Sequence, residues 1–383
     1  MSTPATVRVN TLMQCKEKPY TDPITKFYIV IESIIALNRL PLIFTKYVST
    51  YFPIAMIYSL IVICGLCYSY YGTHLNTENG ATSMNHWEYM FCVGFGIATW
   101  KRLQRYYIEL NKFDVEVGCR PKITTMSVRN TVINIITLFF VTVFYVTSYY
   151  VDTLQTLWFH MLPVHYIHSL ELHYYGHLLS LLATRLRLIN YYTESSLSDI
   201  KMTTRPKVEE FVYFKYKNVT NGEMKKLMDL YHSIIMAYDF LVDAIKWQLL
   251  VIIITSFISI LWLAYHVSLS IIRNSDPLVY IVTDVGLTIT KMLPLFSPCV
   301  FGDRVHSEVR RLRELLASRL YENKLDKSSR STARALLALT EARDLSFSLL
   351  RMLEIDVSFP FKFIGLLITY LIILLQFEKV INP

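Results

Sequence analysis

Charge is what this 383-residue chain most lacks: Asp, Glu, Lys and Arg make up 18% of it, against about 25% in ordinary soluble proteins. With 53% hydrophobic residues and a mean hydropathy of +0.35, the deficit excludes a string of soluble domains and indicates one integral membrane domain. A cleavable signal peptide is missing too. The opening residues, MSTPATVRVNTLMQCKEKPY, have no apolar core, so the first span has to target the chain. There is no P-loop, no Gly-rich dinucleotide turn and no nucleophile elbow, so nothing supports an enzyme or implies a cofactor. A disulfide framework is excluded as well. Cys64, Cys67, Cys92 and Cys299 lie in apolar runs, Cys15 and Cys119 in basic ones, and none falls in a loop predicted to face outwards. The CxxC spacing of Cys64 and Cys67 sits inside an apolar run and reads as packing.

What is present is a series of long apolar runs. Spans are predicted at about 50–72, 86–106, 130–151, 163–192, 247–272, 278–301 and 359–377. The basic residues are sorted between the links. THLNTENGATSMN and VDTLQTLWFHMLP hold no Lys or Arg, and the outer segments together contribute only Arg273 and Lys379. Basic loops stay inside, so the N-terminus is predicted cytosolic and, after seven crossings, the C-terminus extracellular. The net charge of +8 therefore reflects membrane sidedness and gives no reason to expect nucleic acid. The sequon Asn218-Val-Thr220 then falls on the cytosolic side, where it stays unused.

The chain divides on this pattern. Residues 1–49 read as a cytosolic tail followed by an amphipathic helix at 25–46, which carries Glu32 and Arg39 and is broken near Pro41. That helix is expected to lie at, or dip into, the inner membrane surface. Residues 50–301 form a six-helix sensing bundle with a cytosolic extension at 193–245. In that extension Leu227, Leu230, Tyr231, Ile234, Tyr238 and Leu241 recur at helical spacing and run unbroken into the fifth span. Such a helix is roughly 75 Å long, far beyond the membrane core. Pro294 and Pro298 predict a kink at the inner end of the sixth span. Residues 302–357 read as charged cytosolic anchor helices, with a stripe of Leu336, Leu339, Leu345, Leu349, Met352 and Leu353. Residues 358–383 are the last span and an extracellular end.

That last span reads FPFKFIGLLITYLIILLQF. Gly365, Thr369, Ile372 and Gln376 share one helical face and form a narrow, partly polar stripe. Thr369-Tyr370, five apolar residues and Gln376-Phe377 match in full the signature that ends the last transmembrane helix of insect gustatory receptors. The chain resembles that family. The resemblance implies an all-α integral membrane subunit of seven transmembrane helices, assembled as a tetrameric ligand-gated cation channel with its last helices around one pore. It places Gln376 and Phe377 at the gate, with Ile372, Thr369 and Gly365 lining the path. For Thr369 and Tyr370, helix packing is an equal alternative. Glu378 is a candidate acidic ring at the pore mouth, or a solvated charge balanced by Lys379. The cytosolic stripes are then expected to pack against neighbouring subunits, or within one subunit.

The family's ligand pocket lies within each subunit, in the outer half of the membrane. Here the outer half of the fourth span, PVHYIHSLELHYYGH, is polar. An acid at membrane depth costs roughly 2.5–3.5 kcal/mol and so faces a cavity or a partner. Glu171 is the first pocket candidate, with His168 one turn before and Tyr175 one turn after. Trp87, Met90, Tyr145, Tyr149 and Tyr265 are candidate walls, and Asp284 with Thr288 a second polar point. Core packing competes for each aromatic, and a structural hydrogen-bond pair for each acid. His173 and His177 have metal-ligand spacing, but two ligands fall short of the usual three or four. Lys291 either snorkels to the headgroups or pairs with an acid inside the bundle.

The reading that follows is a gustatory channel subunit in the plasma membrane of taste neurons. Its partners are a small-molecule tastant, cations, membrane lipid, and like or related subunits in a homotetramer or heteromer. Aromatic candidates with few acids suit a bitter plant compound better than a sugar. A G-protein-coupled receptor is disfavoured by the internal N-terminus, by the missing acidic-Arg-aromatic triplet after the third span and by the missing Asn-Pro-x-x-Tyr run in the seventh. A secondary transporter would need broken spans paired between two halves, and Pro294 and Pro298 have no counterpart in the first half. The intact ending disfavours the odorant-receptor branch.

Overall fold

A computed structural model of the chain describes residues 22–34, 39, 48–74, 80–118, 125–151, 162–196, 223–273, 278–322, 327–349 and 353–381. The sequon, Cys15, Cys119, Pro41, Met352 and the side chains of Tyr145 and Tyr149 lie outside what is described. The elements are α1 (Pro23–Ile34), α2 (Val48–His74), α3 (Gly80–Val117), α4 (Thr125–Val151), α5 (Leu162–Ser196), α6 (Glu223–Arg273), α7 (Leu278–Met292), a 3-10 turn (Leu293–Leu295), α8 (Phe296–Tyr321), α9 (Lys327–Ala342), β1 (Ser348–Leu349), β2 (Leu353–Glu354) and α10 (Phe359–Ile381).

α5 is the hub. It packs against α1, α3, α4, α6, α7 and α8, and every residue from Ile167 to Ser180 is buried. Gly176 permits the closest of these approaches: a Cβ there would sit 2.0 Å from Ser297 Oγ and 3.1 Å from the Ser297 carbonyl carbon on α8. At the far end of α5, Arg185 grips Asp114 of α3 with two hydrogen bonds of 2.9 and 2.7 Å.

Among the described residues, three stretches are long and apolar enough to cross a membrane: Met224–Arg273, Ile281–Tyr321 and Phe359–Val380. Pro53–Gly65 and Val128–Phe140 are shorter apolar stretches. α3 and α5 do not qualify, for a physical reason. Their inward faces carry Asn85, Glu88, His168, Glu171 and His173, all buried among other helices rather than set against lipid.

α6 is a single 51-residue helix, long enough to extend well past a bilayer as its pattern predicts. The kink also falls where the prolines put it. Pro294 lies in the 3-10 turn between α7 and α8, having removed a backbone N–H from the helical ladder.

Two expectations need correcting. The stripe after Ala342 is not helical. Leu345, Phe347 and Leu349 are buried while Ser346 and Ser348 between them are not, an alternation of two that belongs to a strand. β1 and β2 pair antiparallel there, with Ser348 opposite Glu354. Gly302 of α8 lets the returning strand close in, since a Cβ on it would lie 3.1 Å from the Ile355 carbonyl oxygen. The apolar stripe on the first half of α6 is also covered within the chain. Leu227, Leu230, Tyr231, Ile234, Tyr238 and Leu241 are all buried within this single subunit, so they are not free to meet a neighbour. Arg313 of α8 ties α9 down by donating to the Thr340 carbonyl oxygen (3.0 Å) and to Asp344 (3.1 Å).

Candidate functional site

α1 is docked on the bundle by one face. Thr25, Tyr28, Ile29 and Glu32 on one of its faces are buried, while Val30 and Ile34 on the other are exposed. The buried face docks on α5 at three levels. Thr25 Oγ1 bonds His177 Nε2 at 3.0 Å. The Tyr28 ring packs against Tyr174 and stacks on His177, at 5.7 and 5.6 Å. At the third level Arg39 donates to Glu32 (2.8 Å), to Glu171 (3.0 Å) and, at 3.4 Å, to Gln248 of α6. Its guanidinium also lies 4.9 Å from the centre of the Tyr174 ring. Arg39, Glu32 and Glu171 have fully buried side chains. Glu171, read from sequence as facing a cavity or a partner, has a partner. The amphipathic pattern of α1 could not distinguish a lipid headgroup layer from α5, because both accept a helix with one apolar face.

His168, one turn before Glu171, looks the other way. Its Nδ1 lies 2.9 Å from Glu88 Oε1 of α3, and its Nε2 lies 3.0 Å from the Lys291 carbonyl oxygen of α7. Thr255 of α6 donates to Glu88 Oε2 at 2.8 Å. Lys291 Nζ donates to Asn85 Oδ1 (2.5 Å), which also accepts from Ser259 (3.3 Å). Lys291 therefore points into the bundle, where it and Glu88 are both buried. Tyr175 is fully buried beside Glu171. Glu88, Asn85 and Thr255 were missed in the sequence. The signal for Glu88 was available: it is an acid inside a predicted span, flanked by Trp87 and Tyr89, and the same cost argument that singled out Glu171 applies to it.

The other candidates do not gather here. Trp87 is 59% exposed and its ring meets Phe91, so it points outwards and does not join the buried Glu88. Met90 is half-buried. Asp284 is half-buried, and Thr288 Oγ1 donates to its backbone carbonyl oxygen, 2.8 Å away within the helix. Tyr265 donates to Glu378 at 2.9 Å, well removed from Glu171. His173 and His177 diverge, the first to Asn130 (3.2 Å) and the second to Thr25, so they do not converge on one ion.

α10 is entered through Asp356, whose carboxylate oxygens accept from Ser358 Oγ at 2.7 and 2.9 Å; that bond holds its carboxyl below the ordinary value. On α10 itself, Phe359, Phe363 and Leu367 are buried, and Phe257 of α6 meets the rings of Phe363 and Tyr370 at 5.6 and 5.8 Å. The face bearing Gly365, Thr369, Ile372 and Gln376 is exposed on the far side of the helix, and nothing lies within 4 Å of a Cβ at Gly365. Phe377 is 61% exposed. Glu378 falls on the packed side, at about 100° per residue from Gln376. There it accepts from Tyr265 and from Arg273, both on α6. Glu378, expected as an acid of the pore mouth or a solvated charge balanced by Lys379, thus bridges the ends of α6 and α10 within this subunit.

A helical bundle with a buried polar core and a terminal helix exposed along a polar stripe fits a membrane receptor. The sequence matches the 7tm Chemosensory receptor family over residues 38–381, and the chain belongs to that family. It is a chemosensory receptor of that family, not an enzyme. The fold is similar to that in "The structure of the insect olfactory receptor OR5 from Machilis hrabei", with a TM-score of 0.60 at 14% identity over 93% of this chain and 100% of that one. No curated protein matches the chain significantly.

Proposed function

We propose that the protein is a gustatory receptor subunit and that four copies form a ligand-gated, non-selective cation channel in the plasma membrane of taste neurons. The observation that carries this is the open stripe of α10. One side of the helix is committed to α6, and on the other Gly365, Thr369, Ile372 and Gln376 are exposed among the described residues. Four such stripes around an axis give a path with a polar component, where Phe377 excludes water and the Gln376 amide meets a passing hydrated ion. The proposed orientation has the N-terminus inside, seven crossings and the C-terminus outside, from the sorting of basic residues. Related receptors are the alternative co-subunits.

The ligand is proposed to be a non-volatile bitter compound. Glu171, His168 and Glu88 are engaged with partners of the same chain, which leaves them poor hydrogen-bonding sites for a sugar. Binding opens the channel by favouring the open form over the closed one. The test is current recording from cells expressing this chain alone, challenged with plant alkaloids and sugars. Phe377→Ala is expected to raise resting leak, and Gln376→Leu to reduce conductance with ligand sensitivity retained. If Phe377→Ala alters neither leak nor ligand response, the gate lies elsewhere.

A further inference from the structure

Both ring nitrogens of His168 face acceptors. Nε2 faces the Lys291 carbonyl oxygen at 3.0 Å, which can only accept, and Nδ1 faces a carboxylate oxygen of Glu88 at 2.9 Å. Ser256 Oγ also lies 3.2 Å from Nδ1 and bonds the Ile252 carbonyl oxygen; with its one hydrogen given to that carbonyl, it too offers Nδ1 a lone pair. A neutral imidazole has one N–H and cannot satisfy both sides. The arrangement closes only if the pair holds one more proton than a neutral imidazole and a carboxylate carry. That proton sits either on the ring, giving an imidazolium against a carboxylate, or on Glu88, giving a carboxylic acid that donates to Nδ1.

We propose that Glu88 and His168 form a buried proton-binding site whose occupancy sets how firmly α5 holds the break between α7 and α8. The Lys291 carbonyl lies one turn before Pro294, at the edge of the 3-10 turn. When the proton leaves to water, an acceptor faces an acceptor on one side of the ring, and either the α3–α5 or the α5–α7 hydrogen bond is lost. The receptor's response to its ligand then depends on pH. Other groups bear on the pair from each side. Lys291 and Thr255 act on Glu88 from α7 and α6. His173 is the neighbour along α5, and Cys92 on α3 lies near both Glu88 and Glu171. His86 lies two residues from Glu88 on α3, buried like it. None of these donates to His168 Nδ1 or Nε2.

Glu88→Gln provides the test, because a carboxamide donates to Nδ1 without any added proton and leaves the Nε2–H for Lys291. The full-length protein in lipid nanodiscs is unfolded thermally, with tryptophan fluorescence as the signal, from about pH 5 to 9, which brackets the ordinary range of imidazoles. The wild-type midpoint is expected to fall by a few degrees per pH unit as the proton leaves and one of the two interhelical hydrogen bonds goes with it. Glu88→Gln is expected to flatten that slope, and a slope equal to that of the wild type overturns the proposal. Nitrogen-15 histidine spectra of the wild type give a second measure that needs no folded Glu88 variant. A resonance that vanishes in His168→Gln is expected to change across the same range, and one that stays constant overturns the site. The effect on currents rests on the channel reading, whereas proton binding does not. Ligand half-saturation is expected to shift about fivefold or more across the range in wild type and not in Glu88→Gln. A chain that passes no ligand-gated current while Glu88→Gln flattens the slope would end the channel reading and leave the proton site standing.

Discussion

Arg39→Ala is expected to remove most of the folded protein. The substitution leaves Glu32 and Glu171, both fully buried, with no cation between them. Breaking a buried ion pair by deleting one partner typically costs about 3–5 kcal/mol, because the remaining charge is stranded in a medium that solvates it poorly. A protein stabilised by about 5–15 kcal/mol has little margin for such a loss. The measurement is the yield of monodisperse receptor after extraction, with its thermal midpoint. Arg39→Met combined with Glu32→Gln and Glu171→Gln removes all three charges together, and it is expected to recover much of what Arg39→Ala loses. If Arg39→Ala extracts and melts like wild type, the cluster does not hold α1 in the bundle.

The second large effect is expected at Gly176. Any side chain there enters the contact between α5 and α8, where a Cβ would meet Ser297 Oγ at 2.0 Å and Phe301 at 3.1 Å. Alanine forces Ser297 Oγ off its 3.0 Å hydrogen bond to Asn130 and presses on the Ser297 carbonyl carbon at 3.1 Å. Valine adds two methyl groups against the same wall. Overpacking of this kind costs about 1–3 kcal/mol and sometimes more, so Gly176→Val is expected to lower the thermal midpoint more than Gly176→Ala. Pairing Gly176→Ala with Ser297→Gly removes the Oγ clash and is expected to restore part of the loss. If Gly176→Val melts with the wild type, the two helices do not meet as closely as described.

How much was legible in the sequence differed between elements. α6 could be read because its apolar residues keep one period from Glu223 through the span, and period follows directly from backbone geometry. The break at Pro294 was legible because proline's missing N–H acts locally. Leu345 to Leu349 was misread because five residues with apolar positions every second place also fit a loose helical stripe. Alternating burial decided it once α6 and α8 were in place. Glu171 could be singled out as an acid that needs a partner, but Arg39 lies 132 residues away in the chain, and no local pattern joins them. The same separation hides Glu88 from His168, and Tyr265 from Glu378.

The sequence alone determined that this is a membrane-embedded helical protein, that it belongs with the 7tm chemosensory receptors, and that its last helix carries a polar stripe. Composition, period and a short terminal signature are all local, and each survives without any knowledge of neighbours. Only the tertiary structure decided that α1 is docked against α5, that Glu378 turns towards α6, and which buried acid meets which cation. Those outcomes depend on what stands opposite each side chain. Burial makes the choice of partner decisive, because a charge away from water must be matched at hydrogen-bonding distance by a group from elsewhere in the chain.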